Sequence, residues 1–409
     1  MRAFLLMTAL ATSLCAQAPA PEAQASTDLT IQTKMVSGKH EIPVCASLPL
    51  KGEVSIMGNA LFDGMSLFFN KIKKEKNDLP FTYALTTLDD EAEITKTRKN
   101  IKKLQSSSPL FLSLAGTDIV AGILKYVTRN QICALFPIDG ATKHRTSETQ
   151  NMLFFRASYE HEIDALINYS INELDKKKIA IFYEGSEWGE DALASFKRVL
   201  KKYKLTSVAE ASYPQHTLNV TKAADTIAAK APQAIICIAH ARPAYNFIRQ
   251  IINKGMYQTA ILGLSQMFYV QKPIKNSRGI HIITSSVVPD PTKSTLKIAQ
   301  EYRADMKKYF PNKTLSPFSF EGYINAALLV EATKLIQSPF TAEKIIQTLQ
   351  GLKDINFKGL ELSFDPATRT LSRGVWINAG NDTEWIKAKN KAAVIKEEPV
   401  VEHQEGVAA

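Results

Sequence analysis

Apolar residues fall along this chain in short continuous runs, and between the runs they recur every three or four positions. The runs Ile42–Leu48, Phe81–Thr87, Leu110–Leu114, Ile132–Phe136, Lys178–Tyr183, Thr206–Tyr213, Ala234–Ala239, Ala260–Leu264 and Gly279–Thr284 have the length and β-branched or aromatic content of strands. Helical spacing intervenes at Ala60–Lys73, Ile94–Leu104, Glu160–Leu174, Asp191–Tyr203 and Ala244–Asn253. In Asp191–Tyr203, for example, Leu193, Phe196, Val199 and Leu200 share one face while Lys197, Lys201 and Lys202 lie elsewhere. A strand that is apolar on both faces must be covered on both, and amphipathic helices between such strands supply the cover. The pattern therefore predicts an α/β fold of βαβ units with parallel sheets. Nine strands are many for one compact sheet, so two lobes of four or five strands are expected.

The break between lobes is expected near Arg156, because the polar loop Thr142–Gln150 precedes it and a new βα series starts at Glu160. Later the alternation gives way to two successive helices, Phe320–Leu335 and Thr341–Leu349, and two short strands, Gly359–Phe364 and Gly374–Asn378. At the N-terminus, Arg2, the uncharged stretch Phe4–Leu14 and the small residues ending in Ala23-Gln24-Ala25 read as a secretory signal peptide over 1–25. An exported mature protein is expected. Lipid anchoring at Cys15 is not, since Leu14 stands where a lipoprotein signal wants a small residue. The segment 387–409 mixes Lys, Glu, Ala and Val without periodicity and reads as a disordered tail.

Composition changes this picture little. The 409 residues are 45% hydrophobic and 22% charged, which is ordinary for a globular protein. The 50 Lys+Arg against 40 Asp+Glu leave +10, but the basic clusters, such as 71–74, 102–103, 176–178 and 201–202, sit at separate helix ends. None is interleaved with aromatics as a nucleic-acid groove would be, so no nucleic-acid partner is expected. Cys45, Cys133 and Cys237 lie in separate apolar runs and read as buried free thiols. Without a C-x-x-C there is neither a disulfide framework nor a zinc site to expect, and no metal or cofactor is expected.

Catalytic motifs are missing. There is no G-x-G dinucleotide fingerprint, no P-loop and no H-E-x-x-H. Gly263-Leu264-Ser265-Gln266-Met267 comes nearest to a nucleophile elbow, but Met267 replaces its second glycine. An exported α/β hydrolase with Ser265 as nucleophile is the weaker alternative. His161-Glu162 reads as a solvated pair on a helix. The strand ends carry the polar, small and aromatic residues instead. These are Pro49–Gly58, Gly116-Thr117-Asp118, Asp139–Thr142, Glu184–Gly189 with Trp188, His240 and Ser265. Helices that begin there aim unpaired N–H groups at a crevice. Binding rather than catalysis is expected.

With these residues in view, the chain resembles the branched-chain-amino-acid-type (type I) periplasmic substrate-binding proteins of ABC transporters, from about Ile42 to Asn378. The resemblance is carried by Leu48-Pro49-Leu50-x-Gly52 with Gly58 and Phe62-x-Gly64, Thr87-Leu88-Asp89-Asp90, Leu114-Ala115-Gly116-Thr117 and Phe136-Pro137-Ile138-Asp139-Gly140-Ala141. Phe155-Arg156-Ala157-Ser158-Tyr159-x-x-Glu162 is the longest match; Ile179–Tyr183, Gly189, Phe320-Glu321-Gly322-Tyr323 and Leu360–Asp365 complete it. It implies two Rossmann-like lobes joined by three hinge crossovers near Arg156, Ser285 and Asn356. The first lobe would comprise 38–155 with 286–356, and the second 156–285 with 357–386. It further implies ligand contacts from Met57, Thr117, the turn Asp139, Gly140, Ala141 and Thr142, and from Trp188, His240 and Ser265. Ser265 stands where amino-acid binders carry an acid, which leaves Asp139 to balance a ligand ammonium and admits carboxylate or aromatic ligands beside amino-acid-like ones. The implied function is that of an exported, monomeric protein that captures a small polar molecule and delivers it to an ABC permease in the inner membrane. The alternative is a ligand-sensing receptor subunit of a signalling system on the same fold.

Overall fold

The computed structural model describes residues 29–75, 79–270, 280, 282–337, 339–380 and 384–388. The signal segment with Cys15 lies outside them, as do 389–409 with His403. Among the described residues the strands form two main sheets. The first contains β1 (Lys34–Val36), β2 (Lys39–Leu48), β3 (Phe81–Asp89), β4 (Leu110–Leu112), β5 (Cys133–Leu135) and β6 (Met152–Leu153). Its parallel strands run in the order β3-β2-β4-β5-β6, and β1 folds back antiparallel on the start of β2. The second contains β7 (Ile179–Gly185), β8 (Glu210–Pro214), β9 (Ala234–Ile238), β10 (Ala260–Gly263) and β11 (Ile282–Ser286), parallel in the order β8-β7-β9-β10-β11. Both sheets therefore share the doubly wound order 2-1-3-4-5. In each, the connections diverge between the first and third strands, which opens a crevice at their carboxyl ends.

The covering helices arise where the sequence has a polar stripe against an apolar one. In the first half these are α1 (Ser55–Lys74), α2 (Ile94–Leu104) and α3 (Thr117–Thr128), which follow β2, β3 and β4. In the second, α4 (Tyr159–Asn172) leads into β7, and α5 (Glu187–Lys202), α6 (Thr221–Ala228) and α7 (Ala241–Asn253) follow β7, β8 and β9. The chain then returns to the first core. Val287 and Val288 enter it, followed by α8 (Lys297–Tyr309), α9 (Pro317–Lys334) and α10 (Ala342–Gln350). Ser316 caps α9 in a reciprocal capping box, with Pro317 at its first turn, so the helix starts before the expected Phe320. Helix α9 is buried nearly all round and lies against α1. A Cβ on Gly64 would collide with the Ser319 carbonyl, and one on Gly322 with the Leu61 carbonyl.

A hairpin, β12 (Ile355–Phe357) with β13 (Leu360–Leu362), follows. Its Leu360 and Leu362, and then Leu371, still pack in the first core. Only at β14 (Trp376–Asn378) does the chain join the second sheet, antiparallel to β11. The third passage between sheets thus falls after Leu371 rather than near Asn356, because the hairpin turns its leucines towards the first core. Lys387, expected to open the tail, instead belongs to the edge strand β15 (Ile386–Lys387) and pairs with Trp376.

Candidate functional site

The divergence points of the two sheets face a common cavity of about 720 Å³. From the first sheet come the loop after β2 (Gly52, Glu53, Val54, with Met57 on α1) and the loop after β4 (Ala115–Asp118). From the second come the ends of β7 (Glu184, with Trp188 on α5) and of β9 (His240). The β2 loop is held by the Asp89 carboxylate, which accepts from the Leu50 N–H at 2.9 Å. It can turn because Gly52 adopts φ +82°. Helices α1, α2, α3 and α7 begin at the rim with no side-chain cap hydrogen bond, and their N-cap residues Val54, Glu93, Gly116 and His240 all line the cavity. Positive helix ends therefore converge on it.

Of the residues singled out from sequence, Met57, Thr117, Trp188 and His240 line this cavity together. The Asp139–Thr142 turn and Ser265 do not; Tyr159 and Gln266 take their places in the wall. Thr117 Oγ1 donates to Asp139 Oδ1 at 2.8 Å, Tyr159 hydroxyl lies 2.9 Å from Thr117 Oγ1, and Gln266 Nε2 donates to Tyr159 hydroxyl at 3.3 Å. Asp139 is enclosed behind this chain. Its Oδ2 lies 2.7 Å from His144 Nδ1, and its Oδ1 also accepts from the Ala141 N–H at 3.0 Å. Burial alone would raise this carboxyl, but His144, the Ala141 N–H and Arg145 together hold it below the ordinary carboxylate range. An ionised, fully engaged Asp139 is not free for a ligand. Gly140 is covered by the Tyr159 ring, which a Cβ would strike, and Ala141 packs in the second-sheet core. Thr142 donates through both N–H and hydroxyl to Asp191 on α5, each at 3.1 Å. The turn thus ties the two halves together behind the cavity.

Ser265 belongs to a second buried group. Arg156, with 0% exposure, donates from Nη2 to Ser265 Oγ at 2.7 Å and lies 3.7 Å from Glu162 and 3.6 Å from Glu321. Glu162 Oε2 accepts from the Ser265 N–H at 2.9 Å and from Ser285 hydroxyl at 2.6 Å. The expected solvated pair His161-Glu162 is corrected by this geometry. Glu162 is fully buried on the inner face of α4, and His161 completes the capping box with Ser158. Burial, helped by Arg145 and Arg373, pulls the His161 ring down to about 4. Among the described residues no histidine hydrogen-bonds Ser265 in support of a nucleophile's role.

The charges that do reach the cavity are all acidic: Glu53, Glu91, Glu93, Asp118 and Glu184. Asp118 and Glu184 fall within strand-end groups marked in the sequence, Gly116-Thr117-Asp118 and Glu184–Gly189, but are not among the ligand contacts that the resemblance implies. Burial raises the Asp118 carboxyl, and nearby Glu184 raises it further, while the Glu187 backbone N–H partly opposes this. No group of three or more His, Cys, Asp or Glu among the described residues is arranged to hold a metal ion. Cys45, Cys133 and Cys237 are free and buried; burial pushes Cys45 up to about 12 and the other two higher still.

A family model described as periplasmic binding protein matches residues 41–383. The Leu/Ile/Val-binding protein homolog 7 of Brucella abortus (strain 2308) is 22% identical over 180 residues, 43% of this chain and 45% of that protein. The match therefore spans less than half the length of this curated relative. A possible leucine/isoleucine/valine-binding protein from Rhodopirellula baltica SH 1 superposes with a TM-score of 0.78 at 22% identity, over 86% of this chain and 97% of its own. A substrate-binding periplasmic protein from Ralstonia solanacearum gives 0.75 at 28% identity, over 84% and 99%. An ABC transporter solute binding protein from R. palustris, solved with 4-hydroxybenzoate, gives 0.71 at 15% identity, over 85% and 95%.

Proposed function

The chain belongs to the periplasmic binding protein family and has the fold of its type I members, and on that premise we propose that it captures a small polar molecule between its two sheets for delivery to an ABC permease. One observation carries the proposal: the two sheets, of identical strand order, turn their divergence points onto one cavity of about 720 Å³. That volume lies within the range of small-molecule sites, and crevices at such points are where open α/β sheets bind ligands. The lobes built round each sheet would close about the three passages between them, bringing Trp188 and His240 towards Met57 and Thr117. Relatives named for leucine, isoleucine and valine, and a neighbour holding 4-hydroxybenzoate, make amino acids and aromatic acids the two candidate classes between which the cavity's chemistry chooses. The resemblance implies a monomer as the working unit. The site of action is the periplasm, reached through the signal segment at 1–25. Among the described residues no helix is long and apolar enough to cross a membrane.

Native mass spectrometry of protein purified without denaturation tests this reading. A retained small molecule is expected. Rebinding of that molecule to Trp188→Ala should be weakened about 10- to 100-fold, the effect of losing a large aromatic contact. Unchanged affinity, with the fold intact by circular dichroism, overturns the site.

A further inference from the structure

We propose that the cavity is a receptor for a protonated amine, held between Asp118 of the first half and Glu184 of the second, and that ligands offering only a carboxylate are turned away. This rests on the cavity being the ligand site and names the chemistry it selects. Every charged side chain lining the cavity is an acid, and no Lys or Arg is among the lining residues, on a chain whose formal charge is +10. At the rim, exposed Glu91 and Glu93 share one cation, Lys96, at 3.0 and 2.9 Å, and Glu53 lies exposed. Asp118 and Glu184 remain.

Glu184 is only 3% exposed, and one of its oxygens accepts from the Tyr213 hydroxyl at 2.9 Å. Asp118 stands in the first turn of α3 and lines the same cavity from the first half. Among the described residues neither carboxylate has a cationic side-chain partner, and Glu184 raises the Asp118 carboxyl. Two carboxylates lining one partly dry cleft carry a charge that something must compensate. An ammonium group does so with three donors and no acceptor to conflict with them.

Trp188 gives an independent sign that a ligand completes this place. It is 4% exposed and lines the cavity, yet its indole Nε1 has no hydrogen-bond partner. Its ring sits 4.9 Å from that of His240 and 6.4 Å from that of Tyr159. An unpaired buried donor calls for an acceptor on the ligand, while the indole face favours a neighbouring cation. A bare carboxylate would satisfy the indole but leave both acids repelling it. An amine that also carries an acceptor satisfies all three groups.

The test uses probes matched in carbon skeleton: L-leucine, 3-methylbutylamine and 4-methylpentanoate; L-phenylalanine, 2-phenylethylamine and 3-phenylpropanoate; and 4-hydroxybenzoate as a further carboxylate. Calorimetry should find binding to wild-type protein confined to amine-bearing probes, with Glu184→Gln and Asp118→Asn each lowering affinity at least 10-fold. Glutamine still accepts from Tyr213, so Glu184→Gln keeps the local packing. If a carboxylate without an amine binds as tightly as its amine counterpart and is weakened by Trp188→Ala, the charge assignment is wrong and the cavity reading stands. If amine binding survives unchanged in both acid variants, the clamp is wrong. If no probe binds and native mass spectrometry finds no retained molecule, the cavity reading fails, and this proposal with it.

Discussion

Replacing Arg156 with methionine should cost about 3–5 kcal/mol of stability at pH 8, with most of that cost disappearing in mild acid. Arg156 is fully buried, with Glu162 at 3.7 Å and Glu321 at 3.6 Å. At an effective dielectric near 20, each attraction is worth about 4 kcal/mol before desolvation and the repulsion between the two acids are counted. Methionine keeps much of the side chain's length, so the loss reports charge rather than a void. Glu162 would keep its bonds from the Ser265 N–H and Ser285 hydroxyl. Glu321 would be left buried without its counter-ion. Its carboxyl is already raised in the native protein, by burial first and by Glu162, against the opposing effect of Arg156. Removing Arg156 raises it further. An acid whose folded pKa lies above its unfolded value favours the fold at low pH, and that contribution is lost as pH rises through the folded value. The deficit of Arg156→Met should therefore be greatest at pH 8 and shrink towards pH 5. Urea unfolding followed by circular dichroism at both pH values reads it, and adding Glu321→Gln should recover part of the loss at pH 8. A deficit under about 1 kcal/mol at pH 8, or one independent of pH, would refute this account of the buried group.

Two further perturbations follow from geometry already given. His161 is held neutral by burial, at about 4; its folded pKa lies below the unfolded one, so the stability present above about pH 6.5 is lost as pH falls through the folded value. His161→Gln keeps a residue able to complete the capping box, so it should flatten that acid limb, and an NMR titration should find the native ring neutral at pH 5. Gly64→Ala should destabilise by at least about 2 kcal/mol, because the new Cβ meets the Ser319 backbone on α9. Gly52→Ala, strained only by φ +82° in open space, should cost about 1 kcal/mol, and thermal melts showing the reverse order would count against the helix contact.

The central parallel strands, such as Ala234–Ile238, were legible in the sequence because burial on both faces leaves a continuous apolar run, and Ile94–Leu104 has the observed helix's bounds because its stripe is narrow and its flanks polar. The edge strands Lys34–Val36, Met152–Leu153 and Ile386–Lys387 were not, since two or three residues carry no period and are defined only by their partners. In the candidate site, loops were legible but side-chain directions were not. The sequence gives no sign that the ring of Tyr159 covers Gly140, or that Asp139 turns away towards His144. Glu162 was misread because its counter-charge comes from Arg156 in the connecting loop, which also faces Glu321 far along the chain. Glu184 was marked by the strand-end rule, as the first residue of Glu184–Gly189, but the resemblance pointed past it to Trp188.

The threading of the chain also sets the order in which its parts can mature. The five parallel strands of the second sheet, and the helices between them, occupy one continuous stretch from Ile179 to Ser286. The first sheet has its six described strands by Leu153, yet the helix that seals it, Pro317–Lys334, is made only after the five parallel strands of the second sheet. Contacts such as Lys71–Asp305 at 2.8 Å and Tyr83–Thr333 join residues more than two hundred positions apart. During synthesis the earlier-made sheet must wait, with one apolar face uncovered, until the parallel strands of the second sheet have been made and the chain returns. Over that interval the exposed apolar face is open to wrong contacts, and the return of Pro317–Lys334 is what ends the exposure.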